Sequence, residues 1–414
     1  MHVCVIGAGV AGLASAFALV REGHQVTVVD RNGGPGLETS YANAGQLSYS
    51  YVAPFAGPGV LGKLPAWLLD PSSATRFRPR LDLGQWKWIW KFVRACNARQ
   101  AEYATVELLG LAALSRQILH ELIEEDGLDF SFESAGKLVV HSTPAGLEKA
   151  RRQMLLQARY GAVQQALSRE ECLALEPALE GMSGRIAGGI YSPGDEVGDC
   201  LLFCGELDRI LRDNGARFVY SARVDGLSAR LGKIVAARTS KGDIEADAFV
   251  ISTGNASRAL LKPHGIDLPI YPLRGFSLTV PVTDGSAIPS LSLTDYDRRI
   301  AYARIGDRFR AAALVDLVGY DKRLNRSRIG LVTRQMLETF PDGLDYDSVD
   351  AWCGLRPATP TGLPIISRTG LFNLYLNTGH GGLGFTLALG SGEVLAALVS
   401  GRESGVDPAP YALS

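Results

Sequence analysis

Residues 2–30 read HVCVIGAGVAGLASAFALVREGHQVTVVD, and this stretch decides the fold. Val3 to Ile6 predict a buried strand, Gly7, Gly9 and Gly12 follow, an Ala/Leu-rich helix comes next, and a second strand ends at Asp30. Each glycine has a physical reason. Gly7 makes the tight turn, Gly9 lets backbone approach a pyrophosphate, and Gly12 lets the helix pack closely on the strand. The helix N-terminus then faces the phosphates with its positive dipole end. Asp30 suits a bond to a ribose hydroxyl and would repel a 2′-phosphate. A lone GxGxxG is weak evidence; here it lies between strand and helix, and the acid falls where it should. The stretch therefore predicts a Rossmann-like α/β dinucleotide-binding unit.

Beyond this unit the chain has 414 residues, too many for one simple core, so two domains are expected. No Gly/Ser linker separates two halves, which implies that the domains share segments. A net charge of −1 from evenly spread charges provides no field for nucleic acid. Cysteines 4, 96, 172, 200, 204 and 353 show no CxxC spacing, which argues against a metal site and for reduced core residues. The N-terminus turns directly into the strand and glycine loop without the regions of a secretory signal, and no apolar run is long enough to span a bilayer. A cytoplasmic protein is expected, soluble or peripheral on the cytoplasmic face of the inner membrane.

Whether the dinucleotide is NAD or FAD is decided further along. In LETSYANAGQLS, residues 37–48, a small, polar, glycine-containing segment replaces an ordinary second helix. It can lie along an isoalloxazine edge, with Ser40 and Asn43 offering hydrogen bonds; a plain surface loop is the alternative. Residues 199–218 carry apolar positions near helical spacing with Gly215 as the stop. Residues 234–257 read as a hairpin around Lys241 and Gly242, then a strand closing on Thr253 and Gly254. At the far end, NLYLNTGHGGLGFTLALGSG (373–392) gives a short strand, a bend of small residues from Gly379 to Gly384, and a helix from Thr386. Backbone amides at that helix start suit the charge that a reduced flavin develops. The two glycine clusters would hold opposite ends of one FAD.

The ordered set VIGAGVAGLASAFAL, ETSYANAGQ, YSPGDEVGDC, IYPLRGFSL, WCGLRPATPTGLPI and NTGHGGLGFTLALGSG resembles the bacterial D-amino acid dehydrogenase flavoproteins, within the D-amino acid oxidase and glycine oxidase superfamily. The likeness runs over nearly the whole chain. It implies an α+β architecture: a discontinuous FAD-binding domain on a mixed sheet (1–50, 186–257, 350–414) and a substrate domain on a mostly antiparallel sheet with helices (51–185, 258–349). It also implies non-covalent FAD and oxidation of a D-amino acid to its imino acid, then 2-oxo acid and ammonia, with electrons passing to a membrane quinone. The cofactor-binding set expected from motifs and resemblance together is Gly7, Gly9, Val10, Gly12, Asp30 and Arg31; Ser40, Asn43, Ala44, Gly45 and Gln46; Val224, Thr253 and Gly254; and Gly379, His380, Gly381, Gly382, Leu383, Gly384 and Thr386. Four positions depart from the family pattern. Thr361 stands where Asp is common, Ser367 where Gly is, and Ala312 and Ala313 replace paired glycines, which bears on side-chain preference.

The chemistry sets its own demands. Hydride transfer from Cα to flavin N5 requires the protein chiefly to anchor the carboxylate and aim the Cα hydrogen, and no base is needed if the amine arrives neutral. The anchor should be an arginine, whose guanidinium holds a carboxylate through two parallel bonds. Arg356 in WCGLRPATP is the candidate, and in the superfamily the arginine of this motif binds the substrate carboxylate. Tyr271 is expected to share the carboxylate or to pack in the core, and Arg274 in PLRG reads as a structural turn residue. Tyr51 caps the pocket or lies on the surface. The resemblance makes His380 a flavin-contacting residue, and nothing supports a metal or a Ser-His-Asp triad.

In residues 54–103, Trp86, Trp88 and Trp90 alternate with Lys87 and Lys91. The segment reads either as substrate-domain core or as a lipid-facing surface that serves the quinone. Alternative functions are dehydrogenation of a cyclic D-imino acid such as D-proline or hydroxy-D-proline, glycine or sarcosine oxidation by oxygen, and a non-catalytic flavin-binding subunit.

Overall fold

The computed structural model describes residues 1–70 and 73–413. Residues 71, 72 and 414, which fall in the expected substrate and FAD segments, lie outside the described residues.

The N-terminal unit folds as its pattern dictates, with strands His2–Ile6 and Gln25–Val29 flanking the helix Val10–Arg21. These strands sit inside a six-stranded sheet ordered Ile365–Arg368, Leu374–Thr378, Ala248–Ile251, His2–Ile6, Gln25–Val29 and Arg217–Val219. All neighbours are parallel except the edge strand Ile365–Arg368. Side chains alternate between faces along each strand, so one continuous apolar run supplies two cores. Val3, Val5, Val28 and Val250 pack under the helices Val10–Arg21, Cys200–Asp213, Gly384–Ser400 and Ala98–Asp126. Cys4, Ile6, Phe249 and Ile251 face the antiparallel meander of Val224–Arg230, Lys233–Thr239 and Gly242–Glu245.

The C-terminal helix carries glycines where other helices press on it. A Cβ on Gly392 would lie 2.5 Å from the Ala14 carbonyl oxygen, and one on Gly390 would lie 2.5 Å from that of Leu111. The long helix Ala98–Asp126 thus packs on the nucleotide side, although its sequence falls within the 51–185 segment.

Among the described residues the second sheet has nine strands and is mostly antiparallel. Its order is Asp350–Ala358, Tyr271–Pro281, Arg308–Leu317, Ile300–Ile305, Ser292–Asp295, Lys137–His141, Gly188–Ser192 and Gln165–Leu167, with Thr75–Phe77 pairing beside Arg308–Leu317. Phe276, Leu278, Tyr302 and Phe309 form its core against the helix Arg326–Thr339. The architecture is α+β, as expected. Strands Gly188–Ser192 and Asp350–Ala358, on the FAD side of the expected boundaries, are hydrogen-bonded into this second sheet. Their partners are distant in sequence, which local pattern does not reveal. Tyr271–Pro281 pairs with Asp350–Ala358 from Tyr271↔Ala358 to Thr279↔Asp350, and Ala358 bridges to His380. The two sheets therefore meet where the last glycine bend begins.

Candidate active site

A cleft of about 640 Å³ runs from the first glycine loop to this junction. At one end Gly7, with φ +110°, approaches the strand end so closely that a Cβ would lie 2.6 Å from the Ser252 carbonyl oxygen. Gly12 is tighter still, its Cβ position lying 1.9 Å from the Gly7 carbonyl oxygen. Gly9 differs: nothing but the Ser40 hydroxyl comes near, so its backbone stays open to the cleft. Ser40 Oγ accepts from the Val10 amide at the helix start (3.1 Å), which puts a hydroxyl beside the helix N-terminus that suits a phosphate. Asp30 lines the cleft, its carboxylate held by the amides of Ala8 and Asn32, each at 2.8 Å. Arg31, Asn43, Ala44, Val224, Thr253 and Gly254 also line it. Arg31 pairs with Glu38, which also pairs with Lys322 from the second domain. Burial would raise the Glu38 pKa, but these two cations outweigh it and hold the carboxyl below its ordinary range.

At the other end the second sheet forms a flat floor. Gly275 and Gly354 stand directly opposite one another, with Ala312 nearby. Side chains two residues apart on a strand share a face, so Trp352, Gly354 and Arg356 lie in line. The Trp352 ring covers Gly354, where a Cβ would lie 2.0 Å from it, and the Arg356 guanidinium covers Gly275 at 2.6 Å. Bare glycines are what let both side chains lie flat. Arg356 Nη1 donates to the Leu314 carbonyl (2.9 Å), and its chain comes within 3.8 Å of the Cβ position of Gly382. The preceding carbonyl, of Leu355, is pinned by Thr39 (2.8 Å) and Asn255 (2.7 Å), which fixes the strand where it crosses the cleft. Burial lowers the Arg356 pKa, with Cys353 and Asp316 opposing. Behind it, buried Asp316 is shared by Arg274 (2.9 Å) and Arg328 (2.7 Å). Arg274 also pairs with Asp321 at 3.6 Å, so two carboxylates and two guanidiniums stand together behind the sheet.

A family model described as FAD dependent oxidoreductase (DAO) matches residues 2–398. The chain belongs to this family of FAD-dependent oxidoreductases. It is 47% identical over 409 residues to the D-amino acid dehydrogenase 2 of Pseudomonas aeruginosa, covering 98% of this chain and 96% of that protein. The D-amino acid dehydrogenase 2 of Ralstonia nicotianae is 44% identical over the full length of both chains. Among solved structures, the glycine oxidase from Geobacillus kaustophilus superposes with a TM-score of 0.78 at 21% identity, covering 100% of this chain and 98% of that one.

The residues present fit the family's cofactor. Ser252 Oγ, Asn255 Oδ1 and Asn377 Oδ1 are buried polar atoms without a hydrogen-bond partner, and all three residues line the cleft. Such atoms are costly unless a ligand satisfies them. Gly379, His380, Gly381, Gly382 and Gly384 line the cleft beside Arg356, so both glycine clusters of this oxidoreductase reach one cavity. Gly12, Gly45, Gln46, Leu383 and Thr386 do not line it. Gly12 packs helix on strand, and Gly45 with φ +67° meets Ile305. Gln46 binds the carbonyls of Leu293 and Tyr302 and accepts from Lys137; Leu383 caps the last helix; Thr386 accepts from the Ser48 amide.

Two of the expected substrate contacts lie elsewhere. Tyr271 is fully buried between Trp88 and Tyr320 and donates to Asp82 at 3.0 Å, so its hydroxyl is not presented to substrate. Tyr51 lies under buried Lys137, 4.8 Å from the ammonium. Burial pushes Lys137 down to about 8 and the nearby Asp195 up to about 6. Arg274 is not in a turn but inside the strand Tyr271–Pro281, where it serves the ion pair with Asp316. Trp352, Gly275, Ser252, Asn377 and Lys322 line the cleft, and motif reading passed over them. The Gly-Leu-Arg motif could have flagged Trp352 through its two-residue spacing. The Lys322 pairing with Glu38 has no local signal.

His380 is buried, bonds Ser391 Oγ through Nε2 at 3.0 Å, and is pushed down to about 4 by burial. It is neutral at physiological pH and poorly placed as a base. Between pH 6.5 and 4 the unfolded chain takes up a proton that the folded His380 refuses, so falling pH removes stability across this window. Urea midpoints should therefore decline more steeply from pH 6.5 to 5 in the wild type than in His380→Asn; parallel slopes would contradict the assignment. Among the described residues no group of three or more His, Cys, Asp or Glu is placed to hold a metal.

Proposed function

We propose that this oxidoreductase dehydrogenates D-amino acids, with Arg356 holding the substrate carboxylate. The observation that carries this reading is the Arg356 guanidinium, lying flat on the glycine floor with one backbone partner and within reach of the Gly379–Gly384 bend. Its remaining donors can form a bidentate pair with a carboxylate. The relatives' names add support, since both are called D-amino acid dehydrogenase. FAD, when bound, supplies the two-electron chemistry that accepts hydride from Cα. Gly9, Ser40 and the Val10 amide would hold its pyrophosphate, Asp30 its ribose, and the Gly379 bend its ring end.

The chain's own residues position rather than exchange protons. Arg356 sets the carboxylate, Trp352, lying over Gly354, confines the side chain, and neutral His380 provides no base. In this reading the substrate enters with a neutral amine, and kcat/KM should rise with pH until the substrate ammonium is deprotonated; a pH-independent profile would contradict this.

The electron acceptor in this reading is a quinone at a membrane surface. Supporting it, the helix Leu83–Ala95 divides its tryptophans: Trp88 is buried, whereas Trp86 and Trp90, four residues apart on one face, are 45% and 58% exposed beside Lys87 and Lys91. Leu81 and Leu83 are exposed at the helix start. Indoles and cations together suit a headgroup layer. No helix among the described residues is long and apolar enough to cross a membrane.

The test is anaerobic mixing with D-amino acids, L-amino acids and cyclic imino acids. Bleaching of the yellow cofactor by D-enantiomers supports the reading, bleaching by cyclic imino acids alone moves the substrate class, and no bleaching contradicts it.

A further inference from the structure

A second cavity, of about 550 Å³, opens beside the tryptophan helix. Trp86, Trp88 and Trp90 line one side; Leu268, Ile270 and Arg258 line the other. Its back wall is thin. The Ile270 side chain comes within 3.6 Å of the Cβ position of Gly379, which lines the main cleft. On the short helix Ser257–Leu261, Arg258 faces the second cavity while its neighbours Ala259 and Leu260 line the first. Trp88 closes the wall by donating to the Ala358 carbonyl at 2.8 Å, and Ala358 bridges to His380. The cavity thus lies one side chain away from the Gly379 bend.

We propose that this cavity is the docking site of the electron acceptor, a lipid-borne quinone whose ring lies among the indoles. This rests on the reading of the acceptor as a quinone and adds where it binds. Three chemical features select this occupant. Trp86 and Trp90 offer exposed indole to a flat apolar ring, while Trp88, stacked on Phe92, forms the wall behind them. Lys87 (3.4 Å) and Arg258 (3.2 Å) share the single carboxylate of Asp267, and with Lys91 they leave positive charge for quinone oxygens, which gain electron density on reduction. Trp90, exposed beside Lys87 and Lys91 in the cavity lining, gives a ligand arriving from lipid an apolar surface to meet. Converting an amino acid to its imino acid releases two electrons and two protons. A quinone that accepts all four leaves as the quinol, so the exchange balances without another reagent.

The test uses the holoenzyme and ubiquinone-1 as the probe. Equilibrium dialysis should show binding by the wild type, weakened about tenfold in Trp90→Ala, as expected for loss of an aromatic anchor. Lys87→Trp, which places bulk at the mouth, should weaken it similarly. Both variants should keep the wild-type rate of anaerobic cofactor bleaching by substrate. Equal affinity in wild type and both variants, with the wild type still reoxidised by ubiquinone-1, overturns the cavity but leaves the quinone reading standing. A wild type that neither binds ubiquinone-1 nor is reoxidised by it overturns both.

Discussion

Replacing Arg356 by leucine should raise KM for the amino acid by about 10²–10³-fold while the protein stays yellow. Truncating one partner of a buried, hydrogen-bonded charge pair costs about 2–5 kcal/mol, and each 1.4 kcal/mol is about tenfold in affinity. The loss should fall mainly on KM, because the carboxylate is held alike before and during the reaction. Arg356→Lys should recover only part of it: an ammonium keeps the charge but not the paired donors. The cofactor should remain, since Arg356 approaches the Gly382 bend with its aliphatic stem, Cδ lying 3.8 Å from the Cβ position, and not with its guanidinium. Steady-state kinetics and the flavin absorbance of the purified variant check both halves. An unchanged KM would remove the anchor assignment; a colourless protein would make Arg356 a cofactor residue.

Gly12→Ala should cost the protein its cofactor. A methyl group there would sit 1.9 Å from the Gly7 carbonyl oxygen and 3.3 Å from Ser252 Cβ, neither of which is the tip of a flexible side chain. Helix and strand must separate, at a cost of about 3 kcal/mol or more, since overpacking against backbone is hard to relax. The shift moves Gly7, Gly9 and the Val10 amide together, so the phosphate site is lost with the packing. Calorimetry and flavin content of the purified variant measure the two effects. A variant as stable and as yellow as the wild type would show that the helix seats differently.

Much of this was legible because local chemistry set it. Gly7, Gly9, Gly12 and Asp30 occupy a short strand, turn and helix whose pattern has a physical reading without tertiary information. The hairpin at Gly242, the helix before Gly215 and the Gly379 bend were likewise written in neighbouring residues. What escaped depends on distant partners. For Tyr271 the sequence leaves carboxylate contact and core packing open, because nothing in LPIYPLRG shows that Asp82 takes its hydroxyl. Arg274 read as a turn residue because Asp316 lies on another strand. Strands Gly188–Ser192 and Asp350–Ala358 read as nucleotide-side elements because sheet pairing is non-local. The tryptophans divide along helical geometry: Trp88 is core, while Trp86 and Trp90 are exposed, and that a lipid surface meets them is the proposal made above.

Both ends of the chain converging on one flavin, with Arg356 beside its ring, is the point on which the account depends. A crystal structure of the holoenzyme soaked with benzoate, an unreactive carboxylate, tests it most directly. The account predicts the pyrophosphate at Gly9 and Val10, the ring at the Gly379–Gly384 bend, and the benzoate carboxylate about 3 Å from the Arg356 guanidinium nitrogens. A ring lying elsewhere, or benzoate bound away from Arg356, would contradict it.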